Sequence, residues 1–329
     1  MSEAEVDDAY LNLKLLHCLQ DNTGMQHRHL VAGALTNIVN ALVPPTGSPA
    51  SDKVSLIAGL CEDGCATLGQ VLTKEQAGDV TRYFERTPSF NAHVSWVSDN
   101  VPRFIGCGAE SFHYASYRLA DILAAPHLIE LANRPDILGI AEAYLGCTPT
   151  LYSLNAWWSF SGHGKAEYSQ SFHRDLDDYR FCTLFCFLTD VGLRNGAHVY
   201  LRRSHRADFV AHLLADRGET ARQKFGRPIG AQDIYVPPSG YGKDDLYDVI
   251  FSGLKQTFTG PAGFGFMADT SGLHMGEPLT EGRRLIFWAR YGIYKNPMAG
   301  REPVVPREAV GDRIGRDPKS KYINRCILG

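Results

Sequence analysis

Gln170-Ser171-Phe172-His173-Arg174-Asp175-Leu176-Asp177-Asp178 is the stretch whose reading decides this chain. On an extended strand, side chains two residues apart share a face. His173 and Asp175 therefore point one way and Arg174 the other. A neutral imidazole beside a carboxylate can hold a first-row divalent metal, although H-x-D by itself is a weak signal. Asp177 and Asp178 suit a turn or a supporting salt bridge better than a ligand position.

A second stretch, Ala268-Asp269-Thr270-Ser271-Gly272-Leu273-His274-Met275-Gly276-Glu277-Pro278, places a histidine between a strand and a Gly/Pro turn, 99 residues after Asp175. His173, Asp175 and His274 together make two imidazoles and one carboxylate. That set leaves open cis positions on the metal, as in non-haem Fe(II) oxygenases. Ten residues after His274 comes Arg284, opening the strand Arg284-Leu285-Ile286-Phe287-Trp288. A guanidinium inside a barrel binds a carboxylate through two parallel hydrogen bonds. It suits the distal carboxylate of 2-oxoglutarate. Arg283 must point to the opposite face, with Leu285, Phe287 and Ala289.

Outward from these motifs, the second half of the chain reads as strands. They are expected at Thr150–Phe160, Phe181–Val191, His198–Leu201 and Arg284–Tyr294. The nearly unbroken apolar run from Phe181 suits a strand buried on both faces. Trp157 and Trp158 alternate, so only one can line the interior. Residues 207–257 form a long insertion of the kind that serves as a lid. The first half reads as helices. Two segments within 8–43 end at Pro44-Pro45-Thr46-Gly47-Ser48-Pro49, a linker. Thr73-Lys74-Glu75-Gln76 has capping-box form and opens a helix to about Arg86. Further helices are expected at about 112–124 and 126–145. The expected organisation is an arm at 1–50, a domain at 56–296 and a surface-wrapping tail at 297–329.

These motifs, in this order, resemble the phytanoyl-CoA dioxygenase superfamily of Fe(II)/2-oxoglutarate oxygenases. The matching residues are Gln170–Asp178, Phe187–Gly196, Ser204-His205-Arg206 and His274–Leu285, with Asp63-Gly64 and Leu72–Gln76 near the domain start. The resemblance covers roughly 60–295. It implies a mainly β fold with packed helices (α+β), a double-stranded β-helix of jelly-roll, cupin-like form, preceded by the helical arm. It implies Fe(II) on His173, Asp175 and His274, and 2-oxoglutarate on Arg284, with Phe185, Asn155 and Gln170 on the cosubstrate side. O2 is then the co-reactant, and a small molecule is hydroxylated with release of succinate and CO2. A peptide or protein hydroxylase, or a catalytically silent jelly-roll binding protein, are the alternatives. This chain departs from the family at two places. Gly276 stands where many members carry Ser or Thr, and Arg203-Ser204-His205 replaces Gly-Ser-His, which suggests a different local backbone.

Composition sets the outer bounds. The chain has 329 residues, 44% of them apolar, with 33 basic and 36 acidic residues for a net charge of −3. Nothing in that balance calls for nucleic acid or an anionic membrane. The acidic start is not a secretory signal, and the longest apolar stretch is too short for a membrane helix, so a cytoplasmic protein is expected. The eight cysteines are scattered and read as buried thiols rather than disulfides or zinc ligands. His163, His198, His205 and His212 read as spare histidines. Arg202, Arg203 and Arg206 read as a solvated rim, or as a contact for an anionic substrate.

Overall fold

The apolar run at 181 becomes a strand buried along its whole length, and the rest of the fold is arranged around it. The computed structural model describes residues 25–45, 53–93, 100–163, 166, 168–235, 243–293 and 304–329. Among them the strands are β1 (Cys65–Gln70), β2 (Phe90–Asn91), β3 (Tyr114–Ser116), β4 (Thr150–Phe160), β5 (Phe181–Phe187), β6 (His198–Leu201), β7 (Lys255–Phe258), β8 (Phe264–Ala268), β9 (His274–Gly276) and β10 (Arg283–Gly292). They form a seven-stranded sheet in the order β1-β8-β5-β10-β4-β3-β2 and a three-stranded sheet in the order β7-β6-β9. All pairings between these strands are antiparallel. From β5 onward the chain steps back and forth between the sheets, which makes a double-stranded β-helix.

Alternation along each strand divides the core in two. Phe185 and Phe187 of β5, Phe266 of β8, and Ile286 and Trp288 of β10 meet Tyr200 and Phe258 of the small sheet between the layers. The intervening residues Cys182, Leu184, Cys186, Leu285, Phe287, Ala289 and Tyr291 face outward into a helical layer. That layer contains helices Val54–Asp63, Lys74–Arg86, Leu119–Ala124, Leu128–Ala132 and Pro135–Leu145. Helix Lys74–Arg86 opens with the expected capping box: Gln76 N donates to Thr73 Oγ1 (3.1 Å) and Thr73 N donates to Gln76 Oε1 (2.9 Å). The cysteines at 61, 65, 107, 147, 182, 186 and 326 are all free.

Several expectations from sequence are corrected. Residues 112–118 are not helical; Tyr114–Ser116 pairs with β4 instead, because its side chains are needed against that strand's aromatics. The segment 126–145 is two helices, since Pro135 cannot continue the first and starts the second. The insertion ends before residue 255, where β7 joins β6. Its helices Ala207–Phe225 and Lys243–Ile250 pack through Val210, Leu213, Leu246 and Ile250 on the outer face of the small sheet, against Val199, Leu201 and Met275. The tail belongs to the main core: Ile323, Ile327 and Leu328 are buried with the helical layer, and Arg313 grips Glu130 at 2.6 Å. Helix Met25–Leu42 of the arm docks on the domain through Ala32 and Val39 and through Asn40, whose amide donates to Gly146 O (2.9 Å). The expected first arm helix before residue 25, the linker from residue 46 and residues 236–242 of the insertion lie outside the described residues. No described helix is long and apolar enough to cross a membrane.

Candidate active site

His173 and His274 come from segments 101 residues apart, yet they pair as an antiparallel bridge. His173 N donates to His274 O (3.0 Å) and His274 N to His173 O (2.9 Å). Asp175 is fixed the same way, its N–H donating to Thr270 O at 2.7 Å. Each imidazole then uses Nδ1 on a carbonyl two residues back: His173 on Ser171 O and His274 on Gly272 O, both at 2.9 Å. That bond sets the tautomer and leaves both Nε2 lone pairs for another partner. One ligand atom from each of His173, Asp175 and His274 falls within 4.8 Å of the others. Two imidazoles and a carboxylate so arranged fit a first-row divalent metal.

The charges agree with that fit. Burial, with His173 alongside, pushes the His274 imidazole down to about 3, so the ring is neutral at physiological pH. Burial alone would raise the Asp175 carboxyl, but the Arg290 guanidinium, with His274 and His173, draws it down to about 2. Arg290 spans two carboxylates: Nη2 donates to Asp175 Oδ2 (2.9 Å) and Nη1 to Asp177 Oδ2 (2.7 Å). Tyr152 OH adds a third bond to Asp177 Oδ2, at 3.1 Å. Asp177 is thus the second anchor of Arg290, while Asp178 caps the next strand by accepting from Ile293 N (2.7 Å).

The cluster opens on a cavity of about 70 Å³ bordered by Trp157, Ser169, Phe185, His198, Gly276, Arg284, Ile286, Trp288 and Arg290. Arg284 is 4% exposed. Its Nη1 donates to Gly196 O and its Nη2 to Ser159 Oγ (3.3 Å), while Nε finds no partner. No carboxylate among the described residues pairs with it. Burial lowers the guanidinium only to about 10, so it stays charged. Its neighbour Arg283 points outward, lies over the Trp158 ring at 4.7 Å and pairs with Glu85 at 2.6 Å.

No protein-family model and no curated protein matches this chain. Solved structures do. The non-heme alpha ketoglutarate dependent epimerase SnoN from nogalamycin biosynthesis is 17% identical over 72% of this chain and 81% of its own, with a TM-score of 0.47. The carbocyclase SnoK from the same biosynthesis is 16% identical over 74% and 87%, with a TM-score of 0.45. EctD from S. alaskensis, crystallised with bound Fe, is 13% identical over 84% and 90%, with a TM-score of 0.49. Identities this low and TM-scores below 0.5 leave the reading of the site to its own geometry.

Of the residues assigned from sequence to the cosubstrate side, Phe185 borders the cavity. Asn155 pairs with Trp288 across the sheet, but it does not line the cavity, and its amide donates to Ser153 Oγ (2.6 Å). Gln170 is buried and does not line the cavity either; its Oε1 lies 2.9 Å from His113 Nε2. Trp157 is the inward member of its pair; Trp158 packs outward and donates to Tyr117 OH (3.0 Å). Phe172 faces away from the cluster, edge-on to Tyr247 with ring centres 5.2 Å apart.

Two cavity residues were given no role from sequence: His198, read as a spare histidine, and Arg290, placed only on the face of Arg284. For both, the available signal was strand alternation: His198 shares a face with Tyr200, and Arg290 with Arg284. The basic cluster is paired off: Arg203 and Arg206 bond Glu62 at 3.0 and 2.7 Å, and Arg202 reaches Asp63 at 3.8 Å. Arg203, at φ 67°, adopts the left-handed conformation that favours glycine, at a cost of about 1–2 kcal/mol. Ser204 is thereby kept in place, fully buried, and accepts from Leu273 N (2.6 Å) one residue before His274.

Proposed function

We propose that this chain is an Fe(II)- and 2-oxoglutarate-dependent oxygenase of the phytanoyl-CoA dioxygenase type that hydroxylates a C–H bond of a small molecule. One observation carries the reading. A buried, charged Arg284 without a carboxylate partner among the described residues borders the same cavity as His173 and His274 of the cluster. A guanidinium in such a place is stable only if an anion completes it. An anion that also reaches the cluster has a carboxylate at one end and metal-binding oxygens at the other.

His173 Nε2, His274 Nε2 and an Asp175 oxygen would hold the iron, and Arg284 the distal carboxylate of 2-oxoglutarate. When bound, iron and 2-oxoglutarate supply the oxidising chemistry: O2 converts 2-oxoglutarate to succinate and CO2, and one oxygen atom enters the substrate C–H bond. The chain itself provides position and shielding. Phe185, Ile286, Trp157 and Trp288 wall the cavity with apolar surface and keep water from the reacting groups. Arg290, tied to Asp175 and Asp177, fixes the carboxylate ligand in one orientation. Mixing the protein with Fe(II), ascorbate and 2-oxoglutarate tests the reading. Succinate should form slowly without substrate and faster with the right one. Absence of any succinate, with metal bound, leaves a silent jelly-roll binding protein instead.

A further inference from the structure

β6 and β9 lie side by side, and His198 stands directly across from Gly276. No side chain occupies 276, and the Arg284 guanidinium fills that space. A Cβ there would sit 3.1 Å from Nη2 and 3.2 Å from Nη1. His198 and Arg284 therefore meet on one wall of the cavity, both bordering it.

His198 is 5% exposed, so its polar ring is buried in full. Its neighbours are mostly rings: Phe185 at 4.7 Å, Phe266 at 5.0 Å and His274 at 5.6 Å, the last nearly parallel at 21°. Nε2 has no hydrogen-bond partner among the described residues. A polar ring left unpaired in such a place is costly, and buried groups of this kind normally have a partner. The metal is not that partner. Among the described residues the ligand cluster is His173, Asp175 and His274, and His198 stacks on the last of these instead of joining it. An imidazole can present an N–H donor at Nε2, aimed here at whatever Arg284 holds.

We propose that His198 donates a hydrogen bond to the carboxylate that Arg284 binds, so that the distal end of 2-oxoglutarate is held by a guanidinium and an imidazole N–H. This rests on the function proposed above. It makes His198 a specificity residue for the length and charge of the cosubstrate.

The test uses the full chain loaded with Mn(II) without oxygen, and calorimetry with two acids: 2-oxoglutarate, and 2-oxobutyrate, which lacks the distal carboxylate. His198→Met removes the donor at similar volume; His198→Gln keeps one. His198→Met should weaken 2-oxoglutarate about 10- to 100-fold, as expected for a lost bond to a charged acceptor. It should leave 2-oxobutyrate within about 2-fold and Mn(II) affinity unchanged, and His198→Gln should recover most of the loss. Thermal melting of both variants separates these effects from misfolding, with His198→Leu as substitute should Met not fold. Equal weakening of both acids, or loss of Mn(II) affinity, overturns the inference. So does 2-oxoglutarate binding that Arg284→Ala abolishes and His198→Met leaves intact, although the function then stands. A wild-type protein that binds Mn(II) but neither acid overturns the function and this inference together.

Discussion

Arg284 and Arg290 lie six residues apart on one face of one strand and border the same cavity, yet they are in opposite electrostatic states. Arg290 is closed within the protein: Asp175 and Asp177 take its guanidinium at 2.9 and 2.7 Å, and despite burial they hold it above its ordinary range. Among the described residues Arg284 has only Gly196 O and Ser159 Oγ, and burial pulls it down. A buried cation that is satisfied internally serves the architecture of the site. One that is left incomplete marks where a ligand must supply the missing charge. Arg313, far from the site, is the ordinary case: half of a partly exposed ion pair with Glu130.

The largest effect should come from removing the carboxylate that links Arg290 to the metal site. Asp175→Ala should abolish metal binding by calorimetry and turnover together. The loss should exceed the roughly 10–100-fold typical of an outer-shell change. Full activity in that variant would remove the assignment of the cluster.

Arg284→Ala comes next. Leaving a carboxylate unpaired in a dry site typically costs about 3–5 kcal/mol, or roughly two to four decades in 2-oxoglutarate affinity. Arg283→Ala should change that affinity little, since its guanidinium faces Glu85. The reverse order in the two variants would break the distinction between the faces of β10.

Arg290→Gln should act through the metal and not the cosubstrate, lowering metal affinity about 10–100-fold by freeing Asp175 to turn. A selective loss of 2-oxoglutarate binding instead would make the two arginines alike and end the contrast.

The smallest effect belongs to Arg313. Burial alone would raise the Glu130 carboxyl, but the hydrogen bonds from Arg313 outweigh it and hold it below its ordinary 4.5. A depressed carboxyl contributes stability above its unfolded value and loses it as pH falls through the folded one. Glu130→Gln should therefore cost about 0.5–1 kcal/mol in urea melts at neutral pH. The difference from wild type should shrink as pH drops below about 4.5. A pH-independent difference would mean that Glu130 acts by packing alone.

The parts of the site legible in sequence are those set by local spacing. His173 and Asp175 were read on one face from the period of an extended chain, although the structure makes only an isolated bridge at His173 there; on true strands the same rule separates Arg284 from Arg283 and Trp157 from Trp158. The all-buried strand at 181 followed from its apolar run, and the helix at Lys74 from its capping box. Alternation puts His198 on the face of Tyr200, but its place beside Arg284 depends on lying opposite Gly276 of a strand more than 70 residues on, and no local pattern carries that pairing.

The sequence by itself determined the donor types, their spacing and the alternation that turns each of them inward or outward, because these are properties of covalent geometry over a few residues. The tertiary structure decided which distant segments meet. Asp177 rather than a ligand closes Arg290, Glu62 and Asp63 take up the basic cluster, and the tail joins the helical core instead of wrapping it. It also left Arg284 and His198 incomplete on one wall. Whether a buried charge is satisfied depends on every element packed around it, and that sum exists only once the sheets have closed.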